Sequence, residues 1–158
     1  MNLYRVLFVC LGNICRSPTA QAIFEKRIVE HGLEDIFKID SCGTGSWHIG
    51  KMPDSRAIEA AAKRGYSLNH IRARKMQIQD FDDFDYFIAM DRENLKEIER
   101  LCPEKFRGNV ALFSSLIKNS KLVDVPDPYY GGERGFDEVI DMIELGASGF
   151  WNKSRRVL

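Results

Sequence analysis

Short apolar runs alternate along this chain with longer segments in which apolar residues recur every three or four positions. The runs are of the kind that buried parallel strands require, and they predict strands over residues 6–9, 37–42, 86–90 and 110–113. The periodic segments predict helices over residues 18–31, 52–64, 92–101 and 133–145. Strand and helix therefore follow one another through most of the chain.

Local signals mark the ends of the first two helices. Ser17 is a suitable N-cap for the first helix, with Pro18 at the first helical position, where the missing N–H is not needed and the fixed φ suits a helix. Gly32 and Gly65 follow the first and second helices and are predicted to end them.

Alternating strands and helices are typical of an α/β domain. Residues 1–158 suit a single domain, with a four-stranded parallel twisted sheet and helices on both faces. Ligands of such domains bind at the carboxyl ends of the strands. The first strand ends at Cys10, so we expect a site there.

A glycine-bearing loop connects the first strand to the first helix, within the stretch VLFVCLGNICRSPT of residues 6–19. A loop of this length can curl so that its backbone N–H groups point inward, and the positive end of the following helix dipole reinforces them. Phosphate is the natural ligand for such an anion nest. Arg16, at the end of the loop, can offer its planar fork to two oxygens of the same anion, which a lysine cannot do.

Cys10 lies at the floor of this loop. The amide dipoles, the helix N-terminus and the nearby Arg16 guanidinium all favour a thiolate over a thiol. We therefore expect Cys10 to be a nucleophile at neutral pH.

A second candidate stretch is VPDPYYGG, residues 125–132. Two prolines and two glycines predict a loop of fixed shape that ends in a flexible joint. Asp127, held between the prolines, is a candidate general acid. A carboxyl group held in this way can donate a proton to a leaving group.

Composition and charge narrow the classes of function. Lysine plus arginine and aspartate plus glutamate both number 23, so the formal net charge is zero and neither a nucleic acid nor a membrane is an expected partner. The sequence has no apolar run near ~18 residues and no signal-peptide layout, so a cytoplasmic location is expected. The four cysteines lack zinc-type spacing and are expected to be reduced, and no metal or other cofactor is predicted.

These two stretches together resemble a known family. Residues 9–18, VCLGNICRSP, closely resemble the phosphate-binding loop of the low-molecular-weight protein tyrosine phosphatases, and residues 127–130, DPYY, resemble their general-acid loop. The resemblance runs from about residue 3 to about residue 143 and weakens in the tail from Gly146. That tail is expected to be a continued helix, a partner contact or a frayed end.

The resemblance implies a phosphatase that acts on phosphotyrosine proteins or peptides and on small aryl phosphates. Cys10 would attack phosphorus to form a phosphocysteine while Asp127 protonates the leaving oxygen, and Asp127 would then activate the water that releases inorganic phosphate. Arg16 and the loop amides would hold the equatorial oxygens, so no metal is required.

The resemblance also implies roles for further residues. The phosphate-binding set is Leu11, Gly12, Asn13, Ile14, Cys15 and Ser17. The supporting residues are Ser41, Asp54, Asp91 and His70, and the aromatic walls of the substrate cleft are Trp47, Tyr129 and Tyr130. His31 and His48 receive no role.

Cys15 is a candidate redox partner of the nucleophile. Cys10 and Cys15 flank one tight loop, so an oxidised Cys10 could be captured as a disulfide that protects it from further oxidation. The resemblance supports this reversible control. Tyr129 and Tyr130 could also be phosphorylated, as in some relatives.

Three alternatives to a tyrosine phosphatase remain. Arsenate reductases of the same fold need two further cysteines for a disulfide relay, whereas here Cys102 stands alone and Cys42 lies in a predicted strand. Protein-arginine phosphatases carry a threonine where this chain has Ile14. A phosphate-binding or phosphotyrosine-binding module without turnover would not need both Cys10 and Asp127.

Overall fold

A parallel β-sheet forms the centre of the structure, a computed structural model that describes residues 3–118, 121, 123–132 and 134–155. Within these residues the sheet has four strands, in the spatial order β2-β1-β3-β4, and every neighbouring pair is parallel. The strands are β1 (Tyr4–Cys10), β2 (Phe37–Gly43), β3 (Tyr86–Ala89) and β4 (Asn109–Leu112). The predicted α/β class and parallel sheet are confirmed.

Helices cover both faces of this sheet, as predicted. They are α1 (Arg16–Glu30), α2 (Ser55–Lys63), α3 (Asp80–Asp83), α4 (Arg92–Leu101) and α5 (Arg134–Arg155). Val6 and Phe8 of β1 point into a core that α1, α2 and α5 share, whereas Leu7 and Val9 point into a second core with α3 and α4. Because successive strand residues face opposite sides, burial of both faces requires the unbroken apolar run seen in β1.

The start of α1 differs from the prediction. The helix begins at Arg16, with Cys15 in the N-cap position, and Ser17 lies inside the first turn. The predicted N-cap role of Ser17 is therefore wrong. The Ser17 hydroxyl does not cap the helix because it contacts the Cys10 sulfur and accepts a hydrogen bond from Asn13.

The other boundaries show smaller differences. The predicted second helix starts three residues early, because Asp54 caps α2 by accepting a hydrogen bond from the Arg56 N–H at 2.8 Å. Gly65 follows that helix at φ +85°, a conformation that suits glycine. The four-residue helix α3 was not predicted, since it is too short to show a periodic pattern.

The last helix extends well past its predicted end at residue 145. Its predicted first residue, Glu133, lies outside the described residues, and α5 continues to Arg155. The tail is therefore a continued helix in this region, and it is part of the core because Phe150 contacts the rings of Phe24 and Phe37.

Two glycines allow this extension to pack closely against the 3-10 helix Phe113–Leu116. A Cβ at Gly146 would collide with the Phe113 ring, and one at Gly149 would collide with the Leu116 carbonyl oxygen. Neither has a positive φ, so each glycine is needed for space rather than for backbone freedom.

The helices of the described residues differ from those that span a bilayer. None of them combines the length and the apolar character that crossing a membrane requires.

Replacing Gly149 with alanine should destabilise the fold. Alanine favours a helix interior by about 1 kcal/mol over glycine. The collision with a backbone carbonyl should outweigh this gain, because overpacking typically costs about 1–3 kcal/mol. Urea unfolding would measure the difference. Ser148→Ala, an exposed change on the same helix, is the control and should stay within about 0.5 kcal/mol of wild type. Equal stability of Gly149→Ala and wild type would contradict this packing.

Candidate active site

Three backbone carbonyl groups of residues 10–14 point outward from the loop of residues 11–15. The Cys10 and Leu11 carbonyls accept hydrogen bonds from the N–H groups of Thr44 and Gly45 at 2.9 and 2.8 Å, and the Ile14 carbonyl accepts one from Asp54 at 2.8 Å. In a trans peptide unit the N–H points away from the C=O. The N–H groups of the residues that follow these carbonyls therefore point to the interior of the loop, which is the arrangement of an anion nest.

The Cys10 side chain lies on the floor of this loop and is almost fully buried, with 2% of its surface exposed. The Asn13 N–H donates to the Cys10 sulfur at 3.3 Å, and the Ser17 hydroxyl lies 3.0 Å from the same atom. Both groups stabilise negative charge on the sulfur. The N-terminus of α1 points at the same place.

Asn13 holds the loop in shape. In the described part of the chain it is the one non-glycine residue with positive φ, at +56°. Its side-chain NH2 group donates to the hydroxyls of Ser17 and Ser41 at 2.8 and 3.0 Å. Its side-chain oxygen Oδ1 accepts a hydrogen bond from the Arg74 N–H at 3.0 Å. The Ser41 hydroxyl in turn donates to Gln21 at 2.6 Å.

Arg74 and Asp80 are parts of this support that the sequence analysis missed. The Arg74 guanidinium donates two hydrogen bonds, both 3.1 Å long, to the carboxylate of the buried Asp80. This pair fixes the segment whose backbone binds Asn13. Neither residue belongs to a recognisable motif, so only the folded structure reveals their role.

Arg16 is buried close to Cys10. One terminal nitrogen donates to Asp91 at 2.6 Å and to the Val125 carbonyl at 3.0 Å, while the other lies 3.4 Å from an Asp127 oxygen. Burial acts to lower the pKa of Arg16, but the negative charges of Cys10, Asp91 and Asp127 raise it above its usual value. The guanidinium therefore remains cationic.

Asp127 lies at the rim of the cleft and not on its floor. It precedes the 3-10 helix Pro128–Tyr130 and accepts a hydrogen bond from the Tyr129 N–H at 3.1 Å through one oxygen. The other oxygen faces Arg16. The structure thus brings the three predicted catalytic residues to one cleft.

Aromatic side chains form the walls of this cleft. Trp47, Tyr129 and Tyr130 line it, together with the loop residues Leu11, Gly12, Ile14 and Cys15. The Trp47 ring lies over Gly45, where a Cβ would collide with it.

His48 also lines the cleft, although the sequence analysis gave it no role. A Cβ on Gly12 would lie 3.0 Å from its ring, and its ring centroid is 6.3 Å from that of Tyr129. The position of His48 next to Trp47 in the sequence was the one signal that could have suggested this.

The predicted supporting residues separate into two groups. Asp54 and Asp91 cap α2 and α4 and also brace the site, through the Ile14 carbonyl and the Arg16 guanidinium respectively. His70 lies apart on the surface, where its ring is 3.1 Å from Glu25 of α1. The polar partner of His70 is therefore Glu25, and not a residue of the loop 11–15.

The cysteines all lie within the described residues, and none forms a disulfide. Cys15 is buried at the edge of the cleft. Burial, followed by the negative charges of Asp54, Cys10 and Asp127, raises the pKa of its thiol well above the usual value. Across the part of the chain that the structure describes, no group of three or more histidine, cysteine or carboxylate side chains is arranged to hold a metal ion.

Comparison with known proteins agrees with this geometry. The family model described as "Low molecular weight phosphotyrosine protein phosphatase" matches residues 5–156. A protein of that name from Schizosaccharomyces pombe is 50% identical over 137 residues, which cover 85% of this chain and 86% of the relative. A low molecular weight protein-tyrosine-phosphatase from Bacillus subtilis is 45% identical over 141 residues, covering 89% of each chain.

A solved structure shows the same fold. The protein tyrosine phosphatase from Entamoeba histolytica, crystallised with Hepes in its active site, superimposes with a TM-score of 0.91 at 40% identity and covers 97% of both chains. The family match, the sequence identity and the shared fold all extend over nearly the whole chain. The chain therefore belongs to the low molecular weight phosphotyrosine protein phosphatase family.

Proposed function

We propose that this protein is a protein tyrosine phosphatase, which hydrolyses phosphotyrosine and small aryl phosphates through a phosphocysteine intermediate. The observation that carries the proposal is the convergence of Cys10, Arg16 and Asp127 on one cleft above a loop with inward N–H groups. A module that only binds phosphate would have no use for a nucleophile and a carboxyl group on opposite sides of the bound anion.

In the first step the Cys10 thiolate attacks phosphorus. The S–P bond forms as the bond to the aryl oxygen breaks, and protonated Asp127 gives its proton to that oxygen. The Ser17 hydroxyl and the Asn13 N–H hold the thiolate before the attack. Asp127 lies at the cleft rim, the side from which the leaving group departs.

In the second step water attacks the phosphocysteine. The Asp127 carboxylate takes a proton from the water, the new P–O bond forms, and the S–P bond breaks to return the thiolate and release inorganic phosphate. Ser17 again stabilises the sulfur, now as a leaving group.

Arg16 and the loop amides hold the equatorial oxygens in both steps. The Arg16 fork keeps its anchor on Asp91 and Val125 while its other nitrogen exchanges the 3.4 Å contact with Asp127 for a phosphate oxygen. Fixed positive charge of this kind supplies most of the acceleration in phosphoryl transfer, so the mechanism uses no metal or other cofactor.

The shape of the cleft favours an aryl ester. Because Cys10 is buried on the floor, a phosphate must reach it past Trp47 and Tyr129. A flat phenyl ring can stack on these walls, whereas the short side chain of phosphoserine would not span the depth. The proposed substrates are therefore phosphotyrosine proteins and peptides.

Cys15 supports a further proposal of reversible redox control. Peroxide would oxidise the Cys10 thiolate to a sulfenic acid, and the Cys15 thiol would displace water from it to form a disulfide. A nucleophile that works only as a reduced thiol is consistent with the expected cytoplasmic location.

Cys10→Ser should abolish turnover. We expect a loss of at least about a thousandfold in kcat/KM on p-nitrophenyl phosphate and a phosphotyrosine peptide, because the phosphocysteine cannot form. The assay contains EDTA and reductant. An inactive wild type, or a wild type that prefers phosphoarginine or reduces arsenate, would contradict the proposal.

Asp127→Asn should lower kcat/KM more for a substrate with a poor leaving group than for one with a good leaving group. The loss of the proton donor should reduce kcat/KM on phenyl phosphate by about a hundredfold, within the usual range for general acid catalysis. The kcat/KM on p-nitrophenyl phosphate should fall less, because p-nitrophenol is the more acidic phenol and its phenolate can leave without a proton. Equal losses on the two substrates would count against Asp127 as the general acid.

Cys15→Ser should remove protection against peroxide. Wild type and variant should both lose activity, but dithiothreitol should restore only the wild type, because a sulfenic acid without a partner thiol is oxidised further. Cys102→Ser is the matched control and should recover like wild type, since Cys102 lies outside the cleft. Full recovery of Cys15→Ser would refute the protective disulfide.

A further inference from the structure

The structure points to Arg56 as a residue that positions the general acid, and this inference rests on the proposed function. The segment of residues 126–132 is here called the acid loop, and the segment of residues 11–15 the phosphate loop. We propose that the Arg56 side chain ties the acid loop to the phosphate loop and so sets the place of the Asp127 carboxyl group. Arg56 touches neither Cys10 nor Asp127, and no motif in the sequence singled it out.

Arg56 is firmly oriented on the phosphate-loop side. Its guanidinium donates two parallel hydrogen bonds to Asp54, at 3.0 Å from Nε and 2.9 Å from Nη2. The Asp54 N–H in turn donates to the Ile14 carbonyl at 2.8 Å. A bidentate pair fixes the plane of the guanidinium and not just its charge, so that plane has a set position relative to the phosphate loop.

The same guanidinium contacts the acid loop. Its Nη2 donates to the Tyr129 carbonyl at 3.3 Å, and its central carbon lies 5.4 Å from the Tyr129 ring centroid. It is also 4.9 Å from the ring centroid of Phe136, in the first turn of α5 just after the acid loop. Both ring distances are within the range of cation–π attraction. One side chain therefore contacts Tyr129 and the helix that receives the end of the acid loop.

The position of the Asp127 carboxyl group depends on contacts from outside the acid loop. Its polar contacts are the 3.4 Å approach to Arg16 and the hydrogen bond from Tyr129 within its own loop. The contact with Arg16 must be given up when phosphate binds. The anchor at Tyr129, two residues along the chain, then limits how far the carboxyl group can move from the leaving oxygen, and a displacement of about 1 Å is enough to slow proton transfer strongly.

Removal of Arg56 should affect the position of the Asp127 carboxyl group and leave the phosphate loop in place. The Arg56 side chain is 45% exposed, and the Asp54 carboxylate, which is only 10% exposed, keeps the hydrogen bond from the Arg56 N–H when the guanidinium is removed. The phosphate loop also keeps its other anchors, at Thr44, Gly45 and Asn13, when Arg56 is removed.

The test compares leaving groups in variants of the full chain. Arg56→Ala should reduce kcat/KM about tenfold on phenyl phosphate and less than about threefold on p-nitrophenyl phosphate, because only the poorer leaving group needs the positioned acid. Inhibition by inorganic phosphate should be unchanged, since the phosphate loop is intact. Arg56→Lys should behave like alanine, because lysine cannot make the bidentate and stacked contacts.

Two further measurements separate positioning from general damage. In an Asp127→Asn background, Arg56→Ala should cause no additional loss, since no acid is left to position. Arg100→Ala is the matched control: Arg100 is exposed and also makes a two-nitrogen pair with a carboxylate, Glu97, but it lies on α4 away from the cleft. It should match wild type on both substrates.

Several outcomes would overturn the inference. These are an equal loss on both substrates, weaker inhibition by phosphate, or an additive loss in the Asp127→Asn background. An active wild type whose kinetics Arg56→Ala leaves unchanged would overturn this inference alone. A wild type inactive on both substrates would overturn the proposed function as well.

Discussion

The closed shape of the phosphate loop is the constraint on which the rest of the site depends. Asn13 has a positive φ, a conformation that is uncommon for residues with a side chain although asparagine tolerates it better than most. The Asn13 side chain is held there because it donates hydrogen bonds to Ser41 of β2 and Ser17 of α1 and accepts one from the Arg74 N–H. Since the N–H of Asn13 also donates to Cys10, one network both shapes the loop and holds the Cys10 sulfur.

The parallel sheet explains why the two functional loops meet. Parallel strands present their carboxyl ends at the same edge, and β1 and β3 are neighbours in the sheet. β1 leads directly into the phosphate loop. Beyond β3, the Met90 carbonyl accepts a hydrogen bond from the Val125 N–H at 2.9 Å, which brings the acid loop to that edge although it follows β4 in the sequence.

Arg16 joins these two loops through charge. It is buried, and its guanidinium is anchored to Asp91 at the start of α4 and to the backbone at Val125. Removal of either partner would leave a buried charge short of a hydrogen bond, which is costly in a protein interior. The same anchoring presents its second terminal nitrogen to the cleft, where the cation serves the bound anion.

The sequence by itself determined the elements that depend on local pattern. The apolar run of β1, the periodic helices and the two loop motifs are contiguous stretches, so they predict the fold class and single out Cys10, Arg16 and Asp127 as candidate site residues. The predicted start of α1 was wrong because serine is a common N-cap residue. Only the tertiary contacts of Ser17 with Cys10 and Asn13 exclude that role.

Only the tertiary structure decided which distant residues complete the site. Arg56, Arg74 and His48 carry no local signature and act through contacts with segments far away in the chain, and Asp80 acts through its pair with Arg74. The length of α5 was likewise decided by packing, since Gly146 and Gly149 are poor helix formers that the helix retains because they fit against Phe113 and Leu116. Local propensity thus set the elements, and long-range contacts set their ends and the surroundings of Cys10.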